Sequence, residues 1–351
     1  MSGELTAYWA SHAPAILAAA ALIAALLIVG LRPLLARYAM AQPNARSSHK
    51  TPTPQGGGIA VIVATIVVAS AALYFGPAGA AAALRLPVIS AAIVLIACVG
   101  VLADIHPEHV ASRLLLQTLA VAVVIFVLPP GLRTLPILPP PVERFVLLIG
   151  ALWFVNLVNF MDGLDWMTVA EVVPITAALA AIGLFGILPP PAIVVSMALC
   201  GAMIGFAYFN RPVAKLFLGD VGSLPIGLVL GWLLILLAGN GGRAAAILLP
   251  LYYVADSTIT LIRRALNRER IWQAHRSHFY QRATDRGFSV IDVVTRVFAV
   301  NLVLAALAII TVIMRSRLTD IAALTAGVAL VAWLLFVLAH GRSGKRPMTP
   351  P

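Results

Sequence analysis

Long, uninterrupted apolar runs constrain what this chain can fold into more than any other feature of its sequence. Hydrophobic residues make up 61% of its 351 residues and charged residues only 11%, which excludes an ordinary soluble domain. Eleven runs are long enough, at about 20 residues each, to cross a bilayer as helices. They cover 13–31, 57–75, 87–103, 113–130, 144–160, 168–188, 191–209, 222–238, 244–262, 290–314 and 319–340. The sequence predicts an all-α, polytopic membrane protein with one transmembrane domain, 1–351.

The distribution of positive charge predicts the orientation of these spans. Eighteen of the 24 lysines and arginines fall on the side shared by the odd-numbered connections and the C-terminus. Because basic residues are retained in the cytoplasm, we expect the N-terminus outside and the C-terminus in the cytoplasm. The net charge of +11 is then explained by orientation, and no nucleic-acid partner is expected. The first run lacks a preceding basic segment, so we expect it to remain as a span.

Polar residues are concentrated in five connections that this topology places on the cytoplasmic side. These connections cover 32–56, 104–112, 161–167, 210–221 and 263–289. A transporter is expected to carry polar groups toward the midplane of the bilayer, often in repeated halves, and the sequence shows no internal repeat. Clustering at the ends of spans instead indicates a site at the membrane surface, open to a water-soluble substrate and to a lipid.

Two carboxylates stand three residues apart in NFMDGLD, between the fifth and sixth runs. Gly163 permits a tight turn between Asp162 and Asp165, and a helical turn would place both acids on one face. Carboxylates near the bilayer are costly unless they are paired or bound to a cation. The alternative is an exposed loop in which Asp165 caps the sixth span.

Two glycine-containing segments also have the composition of a phosphate or metal site. In FLGDVGS, Asp220 suits Mg²⁺, which prefers few carboxylates together with phosphate oxygens and waters. The alternative is an ordinary cap for the eighth span. The glycine run 56–58 opens the second span and is expected to present backbone N–H groups to an anion. A flexible linker is the alternative reading of that run.

The fifth connection places His275, Arg276 and His278 on one short stretch. Arginine and histidine together favour phosphate contacts, whereas zinc is disfavoured because neither cysteine nor an H-E-x-x-H motif accompanies them. The alternative is a basic anchor at the cytoplasmic surface. Acids for a cation, an anion-binding loop and this basic cluster together predict a pyrophosphate site and phosphoryl transfer.

Taken in order, these motifs resemble those of the polyprenyl-phosphate N-acetylhexosamine-1-phosphate transferases, glycosyltransferase family 4. The resemblance covers about 43–289 and is carried by PNARSSHKTPTPQGGG, NFMDGLD, FNRPVAKLFLGDVGS and AHRSHFYQR. The last segment is similar to members that initiate surface polysaccharides, and it differs from the histidine run of the cell-wall translocases.

The resemblance implies transfer of a sugar 1-phosphate from a UDP-N-acetylhexosamine to undecaprenyl phosphate, with release of UMP. It implies a bacterial inner membrane, an active site facing the cytoplasm and a product used for a surface polysaccharide or other envelope glycan. It also implies Mg²⁺, with Mn²⁺ as an alternative, and allows a homodimer. The implied catalytic residues are Asp104, Asp162 and Asp220, the metal contacts Asp220 and Asn159, and the substrate contacts Lys50, Asn159, Asp165, Asn210, His275, Arg276 and His278.

Two positions depart from the pattern of the family. Ala103 replaces the first of two adjacent aspartates and Asp104 retains the second, while Trp166 stands where glycine is usual. A phosphate monoester has a second pKa of about 6, so its oxygens are largely ionised near pH 7 without the missing acid. Ala103 is also the feature that favours a non-catalytic relative binding lipid-linked sugar. A lipid or ion transporter is the remaining alternative.

Overall fold

The computed structural model describes residues 3–42, 51–77, 86–105, 110–270 and 275–341. Lys50, a predicted substrate contact, lies outside these ranges. The helices of the described ranges are α1 (Gly3–Tyr38), α2 (Gly58–Phe75), α3 (Leu86–Ile105), α4 (Val110–Val127), α5 (Pro140–Met161), α6 (Met167–Leu184), α7 (Pro190–Ala207), α8 (Asp220–Gly239), α9 (Arg243–Leu248), α10 (Leu251–Leu266), α11 (Phe279–Asp285), α12 (Val290–Met314) and α13 (Arg317–His340). Two short strands, β1 (Met40–Ala41) and β2 (Thr53–Pro54), pair antiparallel.

Ten of these helices, α1 to α8, α12 and α13, are long and apolar enough to cross a membrane. They coincide with ten of the eleven predicted spans, which confirms the all-α, polytopic membrane fold. Several begin where the sequence supplies a start signal. Paired prolines open α5 and α7, and a reciprocal pair of hydrogen bonds between Ser289 and Asp292 opens α12. The orientation of the bundle in the membrane stays a prediction.

The ninth predicted span, 244–262, is the exception, because the chain breaks there into α9 and α10. Pro250 cannot donate a backbone hydrogen bond, and the helix restarts at Leu251. With six residues, α9 is too short to span a bilayer by itself. Its last residue, Leu248, lies against Leu304 of α12 and Gly327 of α13, far from the ends of both helices. The ninth run is therefore a broken helix.

Helix α8 is the centre of the bundle, because other parts of the protein bury 89% of the residues in its most apolar 18-residue stretch. Four glycines bring its backbone against its neighbours. Gly222 lies on Gly58 of α2, Gly100 of α3 lies on the backbone of Asp220, and Gly227 lies on Val155 of α5. Small residues at these crossings let helix backbones approach closely, which is how helices gain packing energy inside a membrane.

The glycine run 56–58 has a packing role, and the predicted anion loop and flexible linker are both wrong for its last two residues. The N–H of Gly57 donates to the carbonyl of Phe217 (2.9 Å), and that of Gly58 donates to the carbonyl of Leu218 (2.9 Å). These amides are therefore committed to the backbone of the fourth polar connection. A Cβ on Gly58 would lie 2.1 Å from the Cα of Gly222, so only glycine fits this crossing.

Helix α10 has polar residues inside and apolar residues outside. The side chains of Asp256, Ser257 and Thr260 are fully buried. Ile262 and Leu266, on the outer side, are 54% and 78% exposed. A helix that hides its polar side in the protein and presents aliphatic side chains outward is suited to the boundary between protein and lipid.

A buried carboxylate joins three helices away from the surface connections. Glu171, in the second turn of α6, is 1% exposed and accepts a hydrogen bond of 2.6 Å from Nδ2 of Asn301 in α12. The backbone N–H of Tyr253, in the first turn of α10, also faces this carboxylate. The α6, α10 and α12 helices thus meet at one buried acid, just where the ninth span breaks.

We predict that Gly58→Ala lowers the free energy of unfolding by about 1–3 kcal/mol, the usual result of overpacking a fixed contact. The measurement is the melting temperature of purified protein in detergent. Gly150→Ala is the matched control, because Gly150 lies in α5 with open space where a Cβ would project. Alanine there is expected to be neutral or to stabilise the helix by about 0.5–1 kcal/mol. Equal melting temperatures for Gly58→Ala and the wild type would contradict the packing described for α2 and α8.

Candidate active site

Three side chains from three helices meet at one end of the bundle and form the centre of the site. Asp220 opens α8, Asn159 lies in the last turn of α5, and Arg113 lies in the first turn of α4. Nη1 of Arg113 is 2.8 Å from Oδ2 of Asp220, and its Nη2 donates to Oδ1 of Asn159 at 3.0 Å. Nδ2 of Asn159 donates to Oδ1 of Asp220 at 2.7 Å and to Oγ of Ser223 at 2.8 Å. The predicted partners Asp220 and Asn159 are therefore in direct contact.

Asp104 fixes the start of α8 and touches the site through the backbone. Its two carboxylate oxygens accept the N–H groups of Asp220 (3.0 Å) and Val221 (3.1 Å). An anion at these free N–H groups is favoured by the helix dipole. Gly219 has a positive φ of 77°, and a Cβ there would lie 2.6 Å from the Asp104 carboxylate. The structure thus places Asp104 where it holds Asp220 in position.

The oxygens at this centre suit a hard divalent cation. Oδ2 of Asp220 and Oδ1 of Asn159 both face the Arg113 guanidinium, and the Asp220 side chain is 27% exposed. Among the described residues, no group of three or more His, Cys, Asp or Glu could hold a metal ion. One carboxylate with one amide oxygen fits Mg²⁺, which keeps waters and takes substrate phosphate oxygens. Asp220 and Asn159 are the residues that would hold it.

Asp162 ends α5 beside this centre. The hydroxyl of Thr168 donates to its Oδ1. The pKa of Asp162 is raised from 3.8 to about 7, first by burial and also by the nearby charges of Asp220 and Asp104, while the Thr168 hydrogen bond acts in the opposite direction. The site therefore brings together three acids whose charges repel one another unless a cation or proton neutralises them.

The turn that joins α5 and α6 is not helical, so Asp162 and Asp165 do not share one helix face. Asp165 is buried, and its Oδ2 accepts the N–H of Ala214 at 2.9 Å. It does not cap α6, whose N-terminal cap is Trp166 with no side-chain hydrogen bond. The shared helix face and the exposed loop with Asp165 as a helix cap, which were the two interpretations of this pair, are therefore both wrong. The tight turn at Gly163 is present.

Asn210 is the second residue that braces the loops of the site. Its Oδ1 accepts the backbone N–H of Trp166 at 2.8 Å, and its Nδ2 donates to the carbonyl of Leu216 at 3.0 Å. Like Asp165, it is buried, at 7% exposed. The hydrogen bonds of Asp165 and Asn210 thus join the third polar connection, 161–167, to the fourth, 210–221. Their predicted substrate contacts stay a prediction.

Trp166 occupies a backbone conformation that favours glycine, the residue that the resemblance leads us to expect at this position. Its φ is 63°, in the left-handed region that residues with a Cβ rarely adopt. The indole Nε1 donates to the carbonyl of Ala207 at 2.6 Å. This bond joins the start of α6 to the end of α7 and offsets part of the backbone strain.

The histidine segment is organised around a buried acid that the sequence reasoning did not single out. Asp256 of α10 is fully buried, and its Oδ1 lies 3.3 Å from Nδ1 of His278. The same carboxylate accepts the backbone N–H groups of Phe279 (3.0 Å) and Tyr280 (3.2 Å) and the hydroxyl of Tyr252 (3.2 Å). It therefore holds the start of α11 and one nitrogen of His278, which is itself 1% exposed.

The other two residues of this segment lie around His278. His275 stacks on the His278 ring with centroids 4.9 Å apart, and its Nδ1 lies 2.8 Å from Oγ of Ser277. Arg276 turns toward α11, where it donates to Thr284 (2.9 Å) and pairs with Asp285 (3.2 Å). The phosphate contacts expected for all three residues stay a prediction.

Tyr280 connects the histidine segment to the centre of the site. Its hydroxyl donates to the carbonyl of Phe160 at 3.1 Å, one residue after Asn159. A Cβ on Gly163 would lie 2.2 Å from the same hydroxyl, so glycine is required for this contact. The α5–α6 turn is thus held between α11 on one side and the fourth polar connection on the other.

Sequence reasoning missed Arg113, Asp256 and Glu171. Arg113 was counted only as a positive charge. Asp256 and Glu171 each stand within an apolar run, and a lone acid in such a run is a signal of a buried functional or structural site. What the sequence did not show is which partners these residues meet, because most of those partners are distant in the sequence.

Fold and site together define a multi-pass membrane protein with an acidic, metal-compatible centre at one end of its helices. The family model "Glycosyl transferase family 4" matches residues 86–238. A phospho-N-acetylmuramoyl-pentapeptide-transferase of Thermobifida fusca is 30% identical over 256 residues, which are 59% of this chain and 71% of the relative. The chain belongs to glycosyl transferase family 4.

Two further relatives carry other names. A probable undecaprenyl-phosphate N-acetylglucosaminyl 1-phosphate transferase of Bacillus subtilis is 26% identical over 292 residues, 76% of this chain and 77% of the relative. A decaprenyl-phosphate N-acetylglucosaminephosphotransferase of Mycolicibacterium smegmatis is 31% identical over 221 residues. That alignment covers 57% of this chain and about half, 54%, of the relative.

We predict that Asp162→Asn stabilises the protein more at pH 8 than at pH 5 when divalent cations are removed with EDTA. The folded state binds the Asp162 proton more tightly than the unfolded state, since the folded pKa is raised to about 7. That stabilisation is complete below pH 3.8 and is lost as the pH rises through 7. Asparagine keeps the shape and cannot ionise.

The measurement is the melting temperature of both proteins across this pH range. Glu4→Gln, at an exposed position in α1, is the control and is expected to shift the melting temperature equally at both pH values. A difference between Asp162→Asn and the wild type that does not grow with pH would contradict this account of Asp162.

Proposed function

We propose that the protein transfers an N-acetylhexosamine 1-phosphate from a UDP-sugar to a polyprenyl phosphate, releasing UMP. The observation that carries the proposal is the joined pair of Asp220 and Asn159 at the end of the bundle, with Arg113 beside it. The names of the relatives support the same reaction: they describe transferases that act on undecaprenyl or decaprenyl phosphate with an N-acetylglucosamine phosphate.

The chemistry of the centre supports a pyrophosphate substrate. A UDP-sugar brings negative charge to a place where Asp220, Asp162 and Asp104 already lie close together. A divalent cation held by Asp220 and Asn159 would neutralise the charges of the acids and of the diphosphate, and would stabilise charge on the transferring phosphoryl group. Arg113 and the basic histidine segment supply donors of the kind that bind phosphate oxygens.

The outer side of α10 supports a lipid acceptor. Ile259, Ile262 and Leu266 are exposed on that side, while the opposite side of the same helix carries Asp256 and Thr260 into the histidine segment. One helix therefore separates the membrane from the polar cluster. A polyprenyl chain lying along these aliphatic side chains would place its phosphate near the inner polar groups.

The reaction is an in-line displacement at phosphorus. An oxygen of the polyprenyl phosphate forms a bond to the β-phosphorus of the UDP-sugar, and the bond from that phosphorus to the oxygen bridging to the α-phosphorus breaks. UMP leaves with the bridging oxygen, and the lipid retains a pyrophosphate-linked sugar. Asp220 and Asn159 would hold the cation that neutralises the diphosphate, and Asp104 holds Asp220 in place. No base is required, because the attacking phosphate is already ionised at neutral pH.

Ala103 supports this view of the acceptor. The position next to Asp104 carries no acid, while the carboxylate of Asp104 is committed to two backbone N–H groups. We therefore assign Asp104 a positioning role and propose that the polyprenyl phosphate attacks without transferring a proton to either position. The same proposal includes a bacterial membrane and undecaprenyl phosphate as the lipid, which the names and organisms of the relatives support. It also includes a cytoplasmic site, supported by the distribution of basic residues, and a surface polysaccharide or other envelope glycan as the product, supported by the resemblance of the motifs.

The test is release of UMP by purified protein supplied with undecaprenyl phosphate, Mg²⁺ and a panel of UDP-N-acetylhexosamines. We expect release with one sugar, dependent on the lipid and abolished by EDTA. Asp220→Asn is expected to lower kcat by at least about 100-fold, because electrostatic stabilisation of the transferring group is lost. Mn²⁺ is expected to replace Mg²⁺ in the assay.

Asp320→Asn is the matched control, since Asp320 lies in the first turn of α13, away from the centre. Its activity is expected to equal that of the wild type. Wild-type turnover in Asp220→Asn would contradict the assignment of the centre. Folded wild-type protein that binds UDP-sugar and releases no UMP would instead favour a non-catalytic relative.

A further inference from the structure

Arg113 is the side chain toward which the two candidate cation ligands turn their oxygens. Its guanidinium lies 2.8 Å from Oδ2 of Asp220 and 3.0 Å from Oδ1 of Asn159. The remaining polar atoms of the pair are committed to each other and to Ser223, through Nδ2 of Asn159. Oδ2 of Asp220 and Oδ1 of Asn159 therefore point to the same side, and the Arg113 guanidinium occupies the space that they face.

We propose that Arg113 is an internal counter-ion that competes with the divalent cation for Asp220 and Asn159, and that cation binding releases its guanidinium to bind the phosphates of the nucleotide. The proposal rests on the function proposed above. It adds a role for Arg113 and a coupling between cation binding and nucleotide binding, neither of which that function requires. It assigns to Arg113 two alternating partners, the acid–amide pair and the pyrophosphate.

Competition follows from the geometry of the two oxygens. A cation coordinated by Oδ2 of Asp220 and Oδ1 of Asn159 needs these atoms at about 2.1 Å, inside the space that the guanidinium now contacts. Two positive charges held at the same pair of oxygens also repel each other strongly near a low-dielectric interior. Binding of the divalent cation is therefore expected to break both contacts of Arg113.

Arg113 is able to move without disturbing the helices. Its side chain is 25% exposed, and it lies in the first turn of α4. The tie between Asn159 and Asp220 does not depend on it, because the amide nitrogen makes that bond. Release therefore needs only rotation of the arginine side chain about its flexible stem.

The released guanidinium would lie beside the cation, where the diphosphate is expected to bind. Arginine presents paired N–H donors that match two phosphate oxygens at once. Cation binding would thus prepare a phosphate site, and phosphate binding would hold Arg113 away from Asp220. By linkage, each ligand raises the affinity for the other by the same factor.

The test is direct binding of Mn²⁺ to purified protein in detergent, followed by the electron paramagnetic resonance signal of free Mn²⁺. Arg113→Met is expected to bind Mn²⁺ about tenfold more tightly than the wild type, because the competing charge is gone. After subtraction of the Mn²⁺ that UDP binds in buffer, UDP is expected to tighten Mn²⁺ binding in both proteins, because the cation also takes phosphate oxygens. The factor is expected to be about tenfold smaller in Arg113→Met than in the wild type, because release of Arg113 no longer contributes. Arg113→Lys keeps the charge without the paired donors, and its Mn²⁺ affinity is expected to lie between the two.

Arg296→Met is the matched control. Arg296 is also a partly exposed arginine paired with an aspartate, Asp292, on its own helix α12. Its removal is expected to leave both Mn²⁺ affinity and the effect of UDP unchanged. Melting temperatures of all variants show that they are folded, and Arg113→Lys carries the test if Arg113→Met does not fold.

The outcomes separate this proposal from the proposed function. Mn²⁺ binding that is lost in Asp220→Asn supports the cation site. If Arg113→Met then binds Mn²⁺ no more tightly than the wild type, or more weakly, Arg113 supports its ligands and does not compete, and the proposal is wrong. If wild-type protein shows no Mn²⁺ binding that depends on Asp220, the cation site itself fails and this proposal falls with it.

Discussion

The first turn of the buried helix α8 is the element on which the rest of the site depends. Asp104 of α3 accepts two of the N–H groups that have no partner within the helix. Gly222, in the same turn, packs on Gly58 of α2. Those contacts leave Asp220 aimed at Asn159 and Arg113 with little freedom. A carboxylate at this position in water would be mobile. Held by three helices, it becomes one side of a preorganised centre, which is the property that stabilises charge in a transition state.

The membrane explains why so much polar structure lies inside this chain. Unpaired polar groups are costly away from water, so each buried acid recruits donors from other helices. Asp256 gathers donors from α10 and α11, and Glu171 meets Asn301 and the start of α10. The break at Pro250 exposes the backbone N–H groups that face Glu171. The broken span and the buried acid are thus two parts of one arrangement that sets the direction of α10.

The sequence predicted the positions of ten spans, because long apolar runs are a property of the chain itself. The resemblance of the ordered motifs led us to expect Asp220 and Asn159 at one site, and the two side chains are in contact. The sequence prediction was wrong about the last two residues of the glycine run, since glycine occurs both in anion-binding loops and at close helix crossings. The Gly58–Gly222 contact joins residues 164 positions apart. Sequence analysis also missed Arg113, Asp256 and Glu171. Their roles depend on contacts with residues that are distant in the sequence. Trp166 was noticed as unusual, and its left-handed backbone shows why glycine would be favoured at that position.

The measurement that tests the central claim most directly is the mass of the lipid product after purified protein acts on undecaprenyl phosphate and a UDP-N-acetylhexosamine. The account predicts a lipid that carries two phosphates and one N-acetylhexosamine, with UMP as the leaving nucleotide. A lipid that carries the sugar on its single original phosphate, with UDP released, would show that the sugar alone is transferred. That result would contradict a centre built to stabilise displacement at phosphorus.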